Sequence, residues 1–411
     1  MYVEKLTLAN FRCFDRESLK FNWPEGINSA GTAGPRLPNI NLLIGNNGTG
    51  KTTIFQALTV AVLRPYLATS ASGFRTPTAI RYGRDMAESI ADVLLSHLDS
   101  DMDIASDSAY PSDILASHHR ATSAIKRKGT TQFLEMRGNA AKWADSLFAE
   151  KSAGFFVAAY GASRRTERRE AYDERLRGVR YQRIASLFEP HVGLVPLSLA
   201  YLQCQERERW SEVVDIVNQL LRPPVRMTEA QTDDVEPLFD YEGISLPASE
   251  LSDGYRLFIG WLIDCLTHIA RVLPKHLKLT EAAGLVIVDE VDLFLAPVWQ
   301  RTVLESLSSV FPKIQWLCST HSPLVAGALE SENIHILERT GPFTSRAYRP
   351  SAKFEGKSVD EILVELFDLH QPRSPQLERQ LSDLADRAMN GDLEASLLYL
   401  RRLNEGSGQL K

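Results

Sequence analysis

The chain has 411 residues, 44% hydrophobic and 24% charged, enough to bury a sizeable core in one large domain or two moderate ones. Its formal charge of 46 minus 52, or -6, excludes a global field that draws in nucleic acid, so any such contact must come from a local patch. Cys13, Cys204, Cys265 and Cys318 stand far apart with no C-x-x-C spacing, which argues against a zinc site or a disulfide framework and fits a reducing cytoplasm. The opening MYVEKLTLANFRCF mixes charges with apolar residues, and no apolar run approaches the roughly 20 residues that cross a bilayer, so neither export nor a membrane span is expected.

Residues 3–8 and 19–21 alternate apolar and polar side chains and predict two strands joined by FRCFDRE. The Pro, Gly, Ser and Asn content of residues 23–38 predicts a surface loop, followed by a strand at 39–44 and a helix at 53–63. Residues 68–78 and 99–111 read as exposed excursions. An apolar strand at 155–160 and a helix at 211–221, ended by Pro223 and Pro224, come next. Between them lie Arg164, Arg165, Arg168, Arg169, Arg175, Arg177, Arg180 and Arg183 against Glu167, Glu170, Asp173 and Glu174. That run reads either as a DNA-contacting patch or as a solvated helical face laced with i,i+4 pairs. From residue 251 the order is helix 255–272, strand 284–288, helix 298–310, strand 314–318, a short helix near Leu324 and strand 334–337. This alternation predicts a mostly parallel sheet with helices packed on its faces. The tail after Ser358 reads as helical and polar.

Four segments carry chemistry. GNNGTGKTT, residues 45–53, fits G-x-x-x-x-G-K-[ST] directly after an apolar strand and before a helix. Glycines let backbone N–H groups turn inward around a phosphate, Lys51 reaches the outer phosphates, and the Thr52 hydroxyl suits magnesium. In GLVIVDEVD an apolar strand runs into Asp289 and Glu290; the first suits magnesium and the second a base that takes a proton from an attacking water. Leu251-Ser252-Asp253-Gly254 opens a helix whose N-terminus suits an anion, although Ser252 reads equally well as an ordinary N-cap. Finally, STHSP places His321 at the end of the next strand, facing the terminal phosphate.

With these elements in this order, and Leu8, Asn10, Phe11, Arg12 and Phe14 matching an LxNFRxF opening, the chain resembles the stand-alone ABC-type (RecF, OLD and SMC-like) AAA-family ATPases of bacteria, of the kind found in anti-phage defence. The resemblance implies an α/β P-loop NTPase, an ABC-ATPase head with a mostly parallel sheet, an antiparallel N-terminal sheet and a helical lobe. The head would span residues 1–370, with inserted loops and the helical lobe in 65–250, and residues 371–411 would form a helical tail. ATP and Mg2+ are the implied cofactors, held by Arg12, Gly45, Asn46, Asn47, Gly48, Thr49, Gly50, Lys51, Thr52 and Thr53, with Thr52 and Asp289 on the metal. Lys51, Glu290 and His321 would be catalytic, and Ser252 and Gly254 would reach across from a second head, so that the partners are a homodimer or higher homo-oligomer. FFVAAYGASRR and GKSVDEILVELFDL also resemble segments of this group, without an assigned role.

Two departures from the group stand out. The loop after Glu290 lacks the histidines of a DxHLHP pattern, and Asp253 replaces a common signature glycine. No sustained heptads appear between Thr53 and Asp240, which excludes a long coiled-coil arm, and no acidic metal cluster follows His321, so a nuclease would be a separate HNH or TOPRIM chain. The leading expectation is an ATP-driven switch that controls such an effector in antiviral defence. The alternatives are a RecF-like repair ATPase that binds DNA directly, a transporter subunit, disfavoured by the NFRCF opening, and a non-hydrolysing scaffold, disfavoured by the full set of Lys51, Asp289, Glu290 and His321.

Overall fold

A computed structural model of the chain describes residues 1–24, 34–67, 74, 78–94, 118–135, 156–166, 179–351, 354, 357–367 and 375–406. Strands β1 (Tyr2–Phe11) and β2 (Phe14–Lys20) leave only Arg12 and Cys13 for the turn, shorter than the expected FRCFDRE connection. Pairing continues to Phe11 opposite Phe14, and Leu6, Leu8, Phe11, Phe14 and Leu19 are all buried in one cluster. Next come β3 (Ile40–Ile44) and helix α1 (Lys51–Leu67). Then β4 (Met86–Leu94), β5 (His118–Lys128) and β6 (Thr131–Glu135) extend β1 and β2 into a five-stranded antiparallel sheet in the order β2-β1-β4-β5-β6.

Strand β7 (Val157–Tyr160) leads to a helical lobe of α2 (Leu197–Glu206), α3 (Trp210–Leu220) and, later, α4 (Asp253–Val272). Before α4 stands a small antiparallel sheet of β8 (Val225–Gln231), β9 (Pro237–Tyr241) and β10 (Ile244–Pro247). Among the described residues, the region 65–250 thus carries seven strands, β4 to β10, of which only β7 was expected from the sequence. The expected excursion at 99–111 lies outside the described residues, as does that at 68–78 except for Phe74 and Thr78.

The last third completes the central sheet with β11 (Gly284–Val288), helix α5 (Val303–Val310), β12 (Ile314–Thr320), β13 (Ile334–Gly341) and β14 (Thr344–Tyr348). The single helix expected over 298–310 is two pieces, Pro297–Gln300 and α5. Strand order is β14-β13-β3-β12-β11-β7, parallel except for the antiparallel edge strand β14. GLVIV and INLLI are buried at every position, as strands covered on both faces require. The mostly parallel sheet, antiparallel N-terminal sheet and helical lobe agree with the fold expected from the sequence.

Helix α1 holds the sheets together. Ile54, Phe55, Ala57, Leu58, Val60, Ala61, Val62 and Leu63 are all buried, in one cluster with Leu6 and Leu8 of β1, Ala87 and Ala91 of β4, and Leu285 and Ile287 of β11. A helix apolar on all sides is one enclosed by the core, and each large side chain contributes about 1.5–3 kcal/mol by burial. Its first turn carries the residues that matter below.

A buried polar link ties β7 to the helical lobe: the Tyr160 hydroxyl donates to Asp264 of α4 at 2.8 Å, and the Val195 amide donates to its other oxygen at 2.8 Å. Burial pushes the Asp264 carboxyl up to about 6 from its ordinary 3.8. The folded chain then binds the proton more readily than the unfolded one, so this group's contribution to stability is full below about pH 4 and falls as pH rises to about 6. Asp264→Asn removes that dependence. Chemical denaturation at several pH values should show the variant gaining on the wild type between pH 4 and 6, by up to a few kcal/mol, with no further change above.

The described chain forms two compact units, Met1–Gly356 and Lys357–Lys411. The second contains α6 (Val359–Phe367), α7 (Pro375–Met389) and α8 (Leu393–Gly406), with α7 packed on α8. Ser358 and Glu361 exchange side-chain to backbone hydrogen bonds, a capping box that starts α6. No helix among the described residues is long and apolar enough to cross a membrane. Cys13, Cys204, Cys265 and Cys318 are free thiols.

Candidate nucleotide site

Strand β3 delivers the chain at Gly45 to a loop that ends in the first turn of α1. Gly50 sits at φ +105, and a β-carbon there would lie 2.6 Å from Cys13 Sγ and 2.8 Å from the Phe14 ring. Glycine is therefore demanded twice, by the backbone and by the β1–β2 turn packed beneath it. Thr49 donates its hydroxyl to the Asn46 carbonyl at 2.8 Å, while Asn46, Asn47 and Gly48 face solvent. Arg12 lies beside the loop: its Nη1 reaches Thr53 Oγ1 at 3.5 Å and its Nε donates to the Thr78 carbonyl at 2.8 Å.

Lys51 is 7% exposed and folds back on the loop, donating from Nζ to the carbonyls of Gly45 at 2.7 Å and Asn46 at 3.3 Å. Burial lowers it to about 8, against the pull of Asp289, Glu290 and Asp292, which favour the ammonium. An ammonium bonded to carbonyls at the mouth of a helix N-terminus can exchange those contacts for phosphate oxygens.

The carboxylates arrive from β11. Asp289, 3% exposed, accepts from Thr52 Oγ1 at 2.5 Å on one oxygen and from Ser319 Oγ at 2.5 Å on the other. The two residues expected at the metal thus converge as hard oxygen donors, which suits Mg2+. Among the described residues no three His, Cys, Asp or Glu side chains gather around a metal position, so phosphate oxygens and water would complete the shell, as is usual for this ion. Glu290 follows in the left-handed region at φ 51, its N–H donating to Ser319 Oγ at 2.8 Å. Burial, with Asp289 and Asp292 adding to it, raises its carboxyl above the usual range, a shift that improves a general base.

His321 follows β12 directly and is half-buried. Burial and the Lys51 charge lower it, which leaves a neutral imidazole at pH 7. The loops after β11 and β12 are stitched together: Thr320 donates to Asp292 at 2.5 Å, and the Val291 amide donates to the Ser319 carbonyl at 2.9 Å.

The residues 45–53, Asp289, Glu290 and His321 thus converge at the ends of three neighbouring parallel strands, with Arg12 at the rim. Ser252 stands apart from them at the start of α4, exposed, its hydroxyl making no capping hydrogen bond. Gly254 packs against the loop after Glu290, where a β-carbon would come within 2.4 Å of the Phe294 carbonyl. On that loop Phe294 is 62% exposed, and Val298 just beyond is 75% exposed.

The described part of the arginine run is mostly enclosed. Arg164, Arg180 and Arg183 are buried, Arg165 is exposed, and Arg168, Arg169, Arg175 and Arg177 lie outside the described residues. Arg164 instead belongs to the site, which sequence reading missed, as it missed Ser319. The signals were there: Ser319 opens the STHSP segment and Arg164 lies in FFVAAYGASRR.

Residues 5–81 match the AAA domain family, and residues 135–327 match the AAA domain family described as putative AbiEii toxin, Type IV TA system. The chain is 24% identical to the Septu protein PtuA of Bacillus mycoides over 371 residues, 89% of this chain and 44% of that protein. It is 22% identical over 367 residues to the Septu protein PtuA of Bacillus thuringiensis, covering 87% and 82%. The Retron Vc95 probable ATPase of Vibrio cholerae is 31% identical over 122 residues, 30% of this chain and 24% of that one. The chain therefore spans less than half the length of the first of these PtuA proteins and of the retron ATPase. The SMC head domain from Thermotoga maritima is similar at 14% identity and a TM-score of 0.44, over 86% of this chain and all of that one.

Proposed function

We propose that the chain binds Mg·ATP on residues 45–53 and hydrolyses it in a site shared between two copies, and that closing and opening of the pair controls a separate nuclease effector in antiviral defence. The observation that carries the hydrolytic reading is the convergence of Thr52, Asp289 and Glu290. Lys51 and the N-terminus of α1 take the phosphates, and Thr52 and Asp289 hold the metal. Mg2+ supplies charge neutralisation on the phosphate oxygens. Glu290 takes the proton of the attacking water, the new P–O bond forms on the terminal phosphorus, and the bond to the leaving ADP oxygen breaks. Neutral His321 steadies the terminal phosphate by hydrogen bonding.

The shared site rests on Ser252. Its unused hydroxyl, exposed at the N-terminus of a 20-residue helix, and the exposed apolar Phe294 and Val298 nearby suit a second copy carrying its own nucleotide. The role in defence rests on the kinship with the Septu and retron proteins.

Complementation tests the shared site. Lys51→Met and Ser252→Arg should each be inactive alone. Mixed in equal amounts they should recover roughly a quarter of wild-type turnover, because half the pairs are mixed and each such pair holds one intact site. Inactivity of the mixture, or full activity of Ser252→Arg alone, would sink the shared site while leaving nucleotide binding in place.

A further inference from the structure

We infer that Arg164 and Ser319 are positioning residues for the base Glu290, fixing its backbone from two sides. This rests on the hydrolytic reading above. The AYGASRR segment, which that reading does not use, turns back after β7 so that Arg164 is 3% exposed beneath the end of β11. Its guanidinium donates from Nη1 to the carbonyls of Asp289 at 2.5 Å and Gly161 at 3.1 Å, and from Nη2 to the carbonyl of Glu290 at 2.8 Å. From the other side Ser319 of β12 accepts the Glu290 N–H at 2.8 Å and gives its own hydrogen to Asp289 Oδ1 at 2.5 Å. The N–H of Glu290 is thus held by a side chain of β12 and its carbonyl by one from the loop after β7, the strands on either side of β11.

The restraint matters because Glu290 is in the left-handed region at φ 51, which a residue with a β-carbon leaves readily unless its surroundings hold it. Rotation back to an ordinary conformation would carry the carboxylate away from its place beside Asp289. One serine hydroxyl links the metal-side carboxylate to the backbone of the base, so the two are set as a unit. The donors are charge-assisted, and their acceptors are three backbone carbonyls. A planar fork spans those carbonyls, and a lysine point charge does not. A buried guanidinium spent on backbone carbonyls is a poor investment in stability alone. It is a good way to hold two consecutive carbonyls at a strand end.

The test uses the full chain and the variants Arg164→Met, Ser319→Ala and Glu290→Gln, with the doubles Arg164→Met/Glu290→Gln and Ser319→Ala/Glu290→Gln. Single-turnover ATP hydrolysis, the Kd for Mg·ATP and thermal melting are measured on each. Arg164→Met should slow hydrolysis about 100-fold and Ser319→Ala about tenfold, with Kd within about threefold of wild type, and neither should slow the Glu290→Gln chain further. That lack of additivity separates positioning of the base from a general structural role. Hydrolysis within about threefold of wild type in both single variants, or losses that multiply with that of Glu290→Gln, overturns the inference. If Arg164→Met shows no cooperative melting, Ser319→Ala decides by the same criteria. Hydrolysis that Glu290→Gln abolishes but these variants leave intact overturns this inference alone; a wild-type chain that hydrolyses no ATP overturns the hydrolytic reading and this one with it.

Discussion

Glu290→Gln should hydrolyse ATP at least about 100-fold more slowly than the wild-type chain while still holding Mg·ATP, since a positioned general base contributes typically 10²–10⁴-fold. The amide keeps the shape and leaves the backbone contacts to Ser319 and Arg164 intact, but it takes no proton. Lys51, Thr52 and Asp289 are untouched, so retention of radiolabelled ATP on a filter should match or exceed that of the wild type. A shared site adds a second readout: arrested hydrolysis should trap paired copies, and the variant with ATP should elute earlier from a sizing column. Phosphate release at the wild-type rate would remove Glu290 from the chemistry.

The second large effect is expected at Gly50. Valine there meets Cys13 Sγ and the Phe14 ring within 2.8 Å and must adopt φ +105. Strain of this kind costs about 1–3 kcal/mol for the backbone and a similar amount for the overpacked contact, so the melting transition should fall clearly. The Kd for Mg·ATP should rise by more than about 100-fold, because the displaced amides are the ones that face phosphate. Adding Cys13→Ala removes one of the two contacts and recovers part of the stability. It should not recover binding, since the dihedral demand and Phe14 remain. Binding by Gly50→Val at wild-type affinity would mean that this loop is not the phosphate cradle.

How much was legible from sequence depends on the kind of signal each residue carries. The central sheet was readable because INLLI and GLVIV are unbroken apolar runs, and the candidate site because glycines, a lysine and adjacent carboxylates follow strand ends at fixed spacing. Strand β4 was not, because its buried face is Ala87, Ser89, Ala91 and Val93, mostly small side chains that give the alternation little contrast. Among the described side chains of β5 only Ser123, Ala124 and Ile125 are buried, within a segment rich in His, Arg and Lys. Arg164 and Arg183 were hidden for the opposite reason. Charge in sequence reads as surface, yet Arg164 finds carbonyls and Arg183 stacks over Phe156 at 5.3 Å, partners that only the folded chain supplies. Ser252 was open between a cap and an anion contact; its hydroxyl makes no cap bond.

Strand β3 has a consequence for how the molecule is made. Both its neighbours come late: Ile40 pairs with Trp316 of β12, and Leu42 with Ile334 of β13. Ile314 lies 270 residues after Ile44, so at about 5–20 residues per second the ribosome leaves an apolar strand with two open edges for roughly a quarter of a minute to a minute. The proposed phosphate loop hangs from that strand, so nucleotide would not help it fold early. The nascent chain must therefore be shielded, by its own α1 and antiparallel sheet or by a chaperone, until its last third emerges.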